Sequence, residues 1–481
     1  MKISTLIPLA LNAGAITVAA AAAAMMERPI READRATLEH IRNPHVVRPY
    51  TPHLYAKDLS QAAMGQKDST SSDNEPKRFE KTAPLAEICK QSTHAVENAA
   101  QLSQLQAQCT EVTGSIVISE YIDPVVDLGK LQSIKGDLLV RDSPSVIHIQ
   151  APRLTNVGGT FELNSLTSLN SVHTPVLRDF NTINWRVVPI LTDVELDPNA
   201  KTAKRVIISD TSLVGFEGFS NVEELEVLNI NNNRFMEYIK TNVKRVTQQL
   251  SISANAKELE LDMPSLEWAD NITVRDTSSA SMPKLKNVKH SLEFIENMFH
   301  SLELPALESV GGTLGVIENV NLKKVDFTNV TYINGGLMIA NNTQIEKIDF
   351  FPELQQIGGA IQFTGKFKDT SFPKLKLVKG SALIISNSDS LDCAKWTTPT
   401  SGSSIIRGGK ITCTSGKKQN SVSVNEDGTV IGRDVSDLTG GFHAKESSAS
   451  SGMMDTTKLS KVGWSLAFAW ATGLFCLVVM Q

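Results

Sequence analysis

Glu258, Glu260 and Asp262 stand at alternating positions in the run KELELDM. On an extended strand that spacing turns three carboxylates to one face. Cleavage of a glycosidic bond needs a pair of acids so arranged. A solvated strand face produces the same pattern and is its commoner cause. His40, His45 and His53 fall in a polar stretch without periodic apolar residues. No HExxH, GxSxG or CxxC signature occurs, and no Gly-Gly pair is followed by the Lys-Ser/Thr of a phosphate cradle. No catalytic residue, cofactor-binding residue or metal ligand is therefore assigned, and the chain is read as a non-enzyme.

The chemistry that the sequence does support is covalent modification. Three N-glycosylation sequons begin at Asn271, Asn329 and Asn341. Of the five cysteines, Cys89 and Cys109 lie twenty residues apart, as do Cys393 and Cys413. Two local disulfides are the simplest reading in an oxidising compartment. Cys476 sits in an apolar C-terminal run.

The two ends of the chain agree with such a compartment. Residues 1–24 have one lysine followed by an apolar, alanine-rich stretch, which reads as a secretory signal peptide cleaved near Ala24. Near the other end, Ser450, Ser451 and Gly452 are followed by nine spacer residues and an uncharged tail from Val462. Small residues, a spacer and an apolar tail form the signal for a glycosylphosphatidylinositol (GPI) anchor, placed here on Ser450 with 451–481 removed. The other reading of Val462–Met480 is a single-pass helix. Basic residues, 47, and acidic residues, 52, nearly balance, which argues against a nucleic-acid partner.

Between the ends the elements that must position these sites are repetitive. Pro152-x-Leu154, Pro175-x-Leu177, Pro264-x-Leu266, Pro283-x-Leu285, Pro305-x-Leu307, Pro352-x-Leu354 and Pro373-x-Leu375 share one form. Leu131 and Val330 fill the leucine position without the proline. Intervals such as 131 to 154, 154 to 177, 285 to 307 and 307 to 330 are 22 or 23 residues long. A period in the low twenties with short alternating apolar runs marks a β-solenoid. A second column, apolar-x-Asn/Asp, places corner residues at Asp142, Asp210, Asn229, Asp276, Asn297, Asn319, Asn341 and Asn387. Asn341 is thus either an inward corner residue or a glycosylation site. The pairs Gly158-Gly159, Gly311-Gly312, Gly335-Gly336 and Gly358-Gly359 mark another bend, through positive φ or through close passage of backbones.

The expected organisation is a signal peptide (1–24), a disordered N-terminal segment (25–84), a capped solenoid (85–415), a flexible stalk (416–450) and an anchor signal (451–481). Lys77-Arg78 offers a processing site that would make 25–84 a pro-region. Residues 85–109 have helix-like apolar spacing and read as a cap stapled by Cys89–Cys109.

The ordered combination of paired cysteines, LxxVGG and LxIxNN coils and anchor signal resembles the fungal GPI-anchored cell-wall organisation glycoproteins. These are related to the sporulation-specific wall proteins and carry receptor-L-domain-like repeats. The similarity covers about Cys89 to Cys413 and the anchor signal. It implies a right-handed parallel β-helix or leucine-rich-like fold and residence on the outer leaflet of the plasma membrane or in the wall. It also implies wall polysaccharide or wall glycoproteins as partners and a part in building the wall. The second functional reading is a carbohydrate-active enzyme on a β-helix, remodelling wall polysaccharide.

Overall fold

The computed structural model describes residues 86–197, 199–399 and 402–437. The signal peptide, segment 25–84, Ser450 and the C-terminal tail lie outside the described residues. Contacts divide the described chain into two units: 86–225 with 229–237, and 226–228 with 238–437.

In the first unit, strands Thr93–Val96, Ser115–Ser119, Leu138–Arg141, Asn156–Asn164, Asp179–Arg186 and Arg205–Ser209 pair in parallel, each with the next. One strand is added per coil, so sequence period becomes vertical stacking. Every second residue points inward, and Ile116, Leu138, Val140, Phe161, Leu163, Ile183 and Val206 are fully buried. A smaller parallel sheet, Val125–Asp127, His148–Gln150, Ser171–Thr174 and Asp193–Leu196, forms another side.

The second unit repeats the plan. Its main sheet runs through Arg245–Ser253, Ile272–Arg275, Leu292–Ile295, Leu314–Ile317, Leu337–Ala340, Ile361–Gly365, Ala382–Ser386 and Gly409–Ser415, all parallel. The fold is thus nearly all β, as the period predicts.

The Pro-x-Leu motif is a turn. Leu154 N–H bonds Ala151 O, Leu177 bonds Thr174, Leu307 bonds Leu304 and Leu354 bonds Phe351. Proline therefore occupies the second turn position, where its fixed φ is pre-set. The leucine that follows returns to the core, fully buried at 154, 177, 266, 285, 307 and 354.

The double glycines are explained by close passage. None has positive φ. A Cβ on Gly311 would lie 1.9 Å from Lys289 O, and one on Gly358 would lie 2.2 Å from Asn334 O. Only hydrogen fits where successive coils touch backbone to backbone.

Both ends are covered. Helix Ala99–Gln108 packs Leu102 and Leu105 inward, with Asn98 capping its start by accepting from Gln101 N. Cys89–Cys109 ties this cap. At the other end, Cys393–Cys413 joins the short helix Ala394–Thr397 to the last parallel strand. Trp396 meets Phe363 and Phe372 edge-on, and its Nε1 donates to Thr370 Oγ1 at 2.9 Å. Phe372 in turn stacks on Phe351, and Phe351 on Phe327.

One boundary differs from expectation. Residues 418–437, read as the start of a flexible stalk, form two antiparallel strands, Lys418–Val424 and Val430–Asp437. Val422 and Val424 alternate into the core, and Asp427-Gly428 makes the turn. This hairpin closes the parallel sheet where a further coil would otherwise be required.

Candidate functional site

The corner residues come first, because they hold the faces in place. At each corner one residue adopts positive φ, and the next side chain turns inward. The positive-φ residues include Asp142, Asp210, Asn232, Asp276, Glu296, Glu318 and Asn341. The inward polar residues that follow are Ser143, Thr211, Asn233, Thr277, Asn297, Asn319 and Asn342, all buried. In the second unit they form a ladder. Thr277 N and Oγ1 donate to Asn297 Oδ1 (3.1 and 2.9 Å). Asn297 N and Nδ2 donate to Asn319 Oδ1 (3.0 and 2.9 Å). Asn319 N and Nδ2 donate to Asn342 Oδ1 (2.9 and 3.2 Å). Each amide also reaches back to a strand carbonyl: Asn297 to Val274, Asn319 to Phe294, Asn342 to Val316.

The expected column is therefore corrected. Asn297 and Asn319 are ladder residues. Asp142, Asp210, Asp276 and Asn341 are the positive-φ residues one step earlier, and Asp276 Oδ2 instead accepts from Ala254 N at 3.0 Å. Asn229 lies inside strand Glu224–Asn231, and Asn387 is exposed. Both corner positions favour Asn and Asp, one for the left-handed backbone and one for backbone bonding. The apolar-x-Asn rule reached the ladder residue where it started from Ile295 or Ile317, and fell one residue short where it started from an inward strand residue such as Val274 or Ile339.

Strand pairing stacks two outward columns on the main sheet of the second unit. One is Glu293, Gly315, Met338, Gln362, Leu383 and Thr412; the other is Ile295, Ile317, Ala340, Thr364, Ile385 and Thr414, of which Gly315, Ile295, Ala340 and Thr414 are buried. From Gly315 onward neither column carries a charge. In the first unit the equivalent face holds Arg141, Glu162 and Arg186 among its outward residues. The uncharged face ends at Glu293 and Arg275. Burial pushes the Glu293 carboxyl above its ordinary range, with Arg275 opposing.

The alternating carboxylates do not converge. Glu258 and Glu260 are exposed and Asp262 is half-buried, the latter two on strand Glu260–Asp262 beside Ser279 and Ser281. Neither of two open depressions, lined by Gln132 to Arg178 and by Lys323 to Phe350, contains them. Among the described residues no cluster of three or more His, Cys, Asp or Glu could hold a metal ion.

The sequons differ in setting. Asn329 is exposed at the middle of the turn, with Nδ2 donating to Pro305 O at 2.7 Å. Asn341 is exposed, so its inward reading falls to Asn342. Asn271 is half-buried, and its Oδ1 accepts from Ser291 N at 3.1 Å.

The described residues thus form a parallel β-solenoid stapled by two disulfides, with sequons on its surface. Sporulation-specific protein 22 of Saccharomyces cerevisiae is 49% identical over 411 residues, covering 84% of this chain and 86% of that protein. Sporulation-specific protein 2 of the same yeast is 49% identical over 366 residues, 76% of this chain and 73% of its own. Cell surface GPI-anchored protein ECM33 of Candida albicans is 31% identical over 307 residues, 64% and 74% of the two chains. No family model and no solved structure matches the chain. The chain belongs to the fungal family of GPI-anchored cell-wall proteins that includes the sporulation-specific and ECM33 proteins. It follows the secretory pathway to the cell surface and wall, with the signal peptide and lipid anchor of that family. Its relatives are named as surface or wall proteins, not as enzymes.

Proposed function

We propose that this protein is a non-enzymatic scaffold of the cell wall, using the uncharged sheet face of its second unit to hold neutral wall polysaccharide. The observation that carries this reading is the pair of charge-free columns from Gly315 to Thr412 and from Ile317 to Thr414. Neutral sugars present apolar C–H faces beside hydroxyls. Met338, Ile317, Leu383 and Ile385 suit the first, and Gln362, Thr364 and Thr412 suit the second. Parallel strands are spaced by about 4.8 Å, close to the length of one sugar ring, so successive coils can meet successive rings. Rigid coils keep the face pre-organised, which reduces the entropic cost of binding an extended chain.

In this reading the anchor on Ser450 tethers the scaffold to the outer leaflet, and glycans on Asn329 and Asn341 occupy the turns. Asn271, held by Ser291, stays unmodified. Phosphatidylinositol-specific phospholipase C should release the protein with a C-terminus at Ser450, and glycosidase treatment should shift two sites. In cells, deletion of the protein should weaken the wall, and Met338→Glu should do the same while the protein reaches the surface at normal abundance. Wild-type wall strength with that variant would contradict the role of this face.

A further inference from the structure

A second surface, in the first unit, has the opposite chemistry. Gln132, Thr155 and Arg178 each follow the turn leucine on three successive coils, at Leu131, Leu154 and Leu177. With Pro152, Arg153 and Val176 they line an open depression of about 460 Å³. Its lining offers two guanidinium groups, a carboxamide and the acceptor side of the Thr155 hydroxyl, whose proton goes to Gln132 O at 2.9 Å, beside apolar proline and valine.

The two arginines are not equivalent. Arg178 Nε donates to Asp197 Oδ2 at 2.5 Å, and Asp197 is only 7% exposed. Burial would raise the Asp197 carboxyl. The bond from Arg178 and those from Asn199 N and Nδ2 outweigh it and hold the group below its ordinary range. Asp197 is thus a fixed anchor for one edge of the guanidinium, leaving other N–H groups of the fork to a ligand. Asp179, the other nearby acid, accepts from Thr202 Oγ1 at 3.0 Å. Arg153 is exposed and makes no ion pair or hydrogen bond among the described residues. Asp197 and Asp179 both act on Arg178, so the cation of the depression without an ion pair among the described residues is Arg153.

We propose that this depression binds an anionic substituent carried on a sugar chain, a phosphate ester above all. Arg153 and the oriented Arg178 take the charge through paired N–H bonds. Gln132 and Thr155 meet sugar hydroxyls, and Pro152 and Val176 meet a ring face. The site uses none of the residues of the neutral face, so the two can fail separately.

The test is titration of the purified full-length protein with a phosphorylated oligosaccharide, the same oligosaccharide dephosphorylated, inorganic phosphate, and anionic lipid vesicles. Binding of the phosphorylated sugar should weaken at least tenfold on dephosphorylation and about tenfold in Arg153→Gln. Arg153→Lys should recover only part, and Lys374→Gln, on the other unit, should change nothing. Equal affinity for inorganic phosphate, or preference for vesicles, would overturn the sugar-chain assignment. Indifference of the phosphorylated sugar to Arg153→Gln would overturn the site. Retained binding to neutral polysaccharide in Arg153→Gln would show that such a failure leaves the neutral face intact.

Discussion

The asparagine corners of the second unit and the aliphatic corners of the first solve one problem in different ways, although the first unit also has an asparagine rung, from Thr211 N to Asn233 Oδ1. In the second unit, the buried N–H of Asn297 and of Asn319 goes to the side-chain oxygen of the next ladder residue. In the first unit, Leu166 and Val188 occupy the same inward position and are fully buried. There the N–H groups of Leu166 and Val188 bond directly to the carbonyls of Val187 and Asp210 one coil on. A solenoid corner therefore does not need asparagine. It needs a partner for one buried N–H, which either a neighbouring amide or a neighbouring carbonyl can supply. Where asparagine is used, it becomes committed: its own amide bonds a strand carbonyl, so removal orphans groups on both sides.

The largest effect should come from breaking that commitment. Asn319→Ala strips the acceptor from Asn297 and the donor from Phe294 O and Ile317 O. It should destabilise the second unit by about 3 to 5 kcal/mol. Hydrogen exchange should show loss of protection at the amide of Asn297. Leu166→Ala should cost about 2 to 5 kcal/mol through a cavity, but the Leu166 amide should stay protected, because its bond is backbone to backbone. Equal deprotection in the two variants would erase the distinction between the corners.

Two changes should instead affect the units alike. Reducing either disulfide, as in Cys89→Ser or Cys393→Ser, should cost about 3 kcal/mol for a closed loop of this length, read from denaturant midpoints. Gly158→Ala and Gly311→Ala place a Cβ 2.3 and 1.9 Å from a carbonyl oxygen. Each should lose about 1 to 3 kcal/mol, whereas Gly432→Ala, with nothing within 4 Å, should be close to neutral.

The smallest effect concerns the charge that borders the neutral face. Burial raises the Glu293 carboxyl in the folded state, so protonation favours folding. That contribution is present below the ordinary glutamate range and is lost as pH rises through the raised value. Glu293→Gln should leave acid stability unchanged and raise the melting temperature at pH 7 by about 1 to 3 °C. A gain at acid pH as well would point to packing instead.

Much of this architecture was legible in the sequence, for a physical reason. Turn prolines, contact glycines and core leucines each answer a demand that few residue types can meet, so Pro152-x-Leu154 and Gly311-Gly312 announce their places. The corner was less legible because adjacent positions reward the same residues. In Asn341-Asn342 nothing in the residue type tells the exposed left-handed asparagine from the buried one. Counting three residues on from the last inward strand residue, Val316 to Asn319 or Ile339 to Asn342, separates them. The neutral face stayed hidden because Ile317 and Ile385 look like core residues until strand pairing turns them outward. The hairpin at 418–437 was masked by its polar residues, although Asp427-Gly428 between alternating valines carries the turn signal. The groove around Arg153 could not be seen at all, since its residues meet only when three coils stack.

The most direct test is co-sedimentation of the full-length protein with insoluble neutral glucan and chitin, comparing wild type with Met338→Glu and with Glu260→Gln. The account predicts that wild type and Glu260→Gln bind alike, that no sugar is released, and that Met338→Glu binds at least tenfold more weakly while keeping its melting temperature. Undiminished binding by Met338→Glu, or release of soluble sugar that stops in Glu260→Gln, would contradict it.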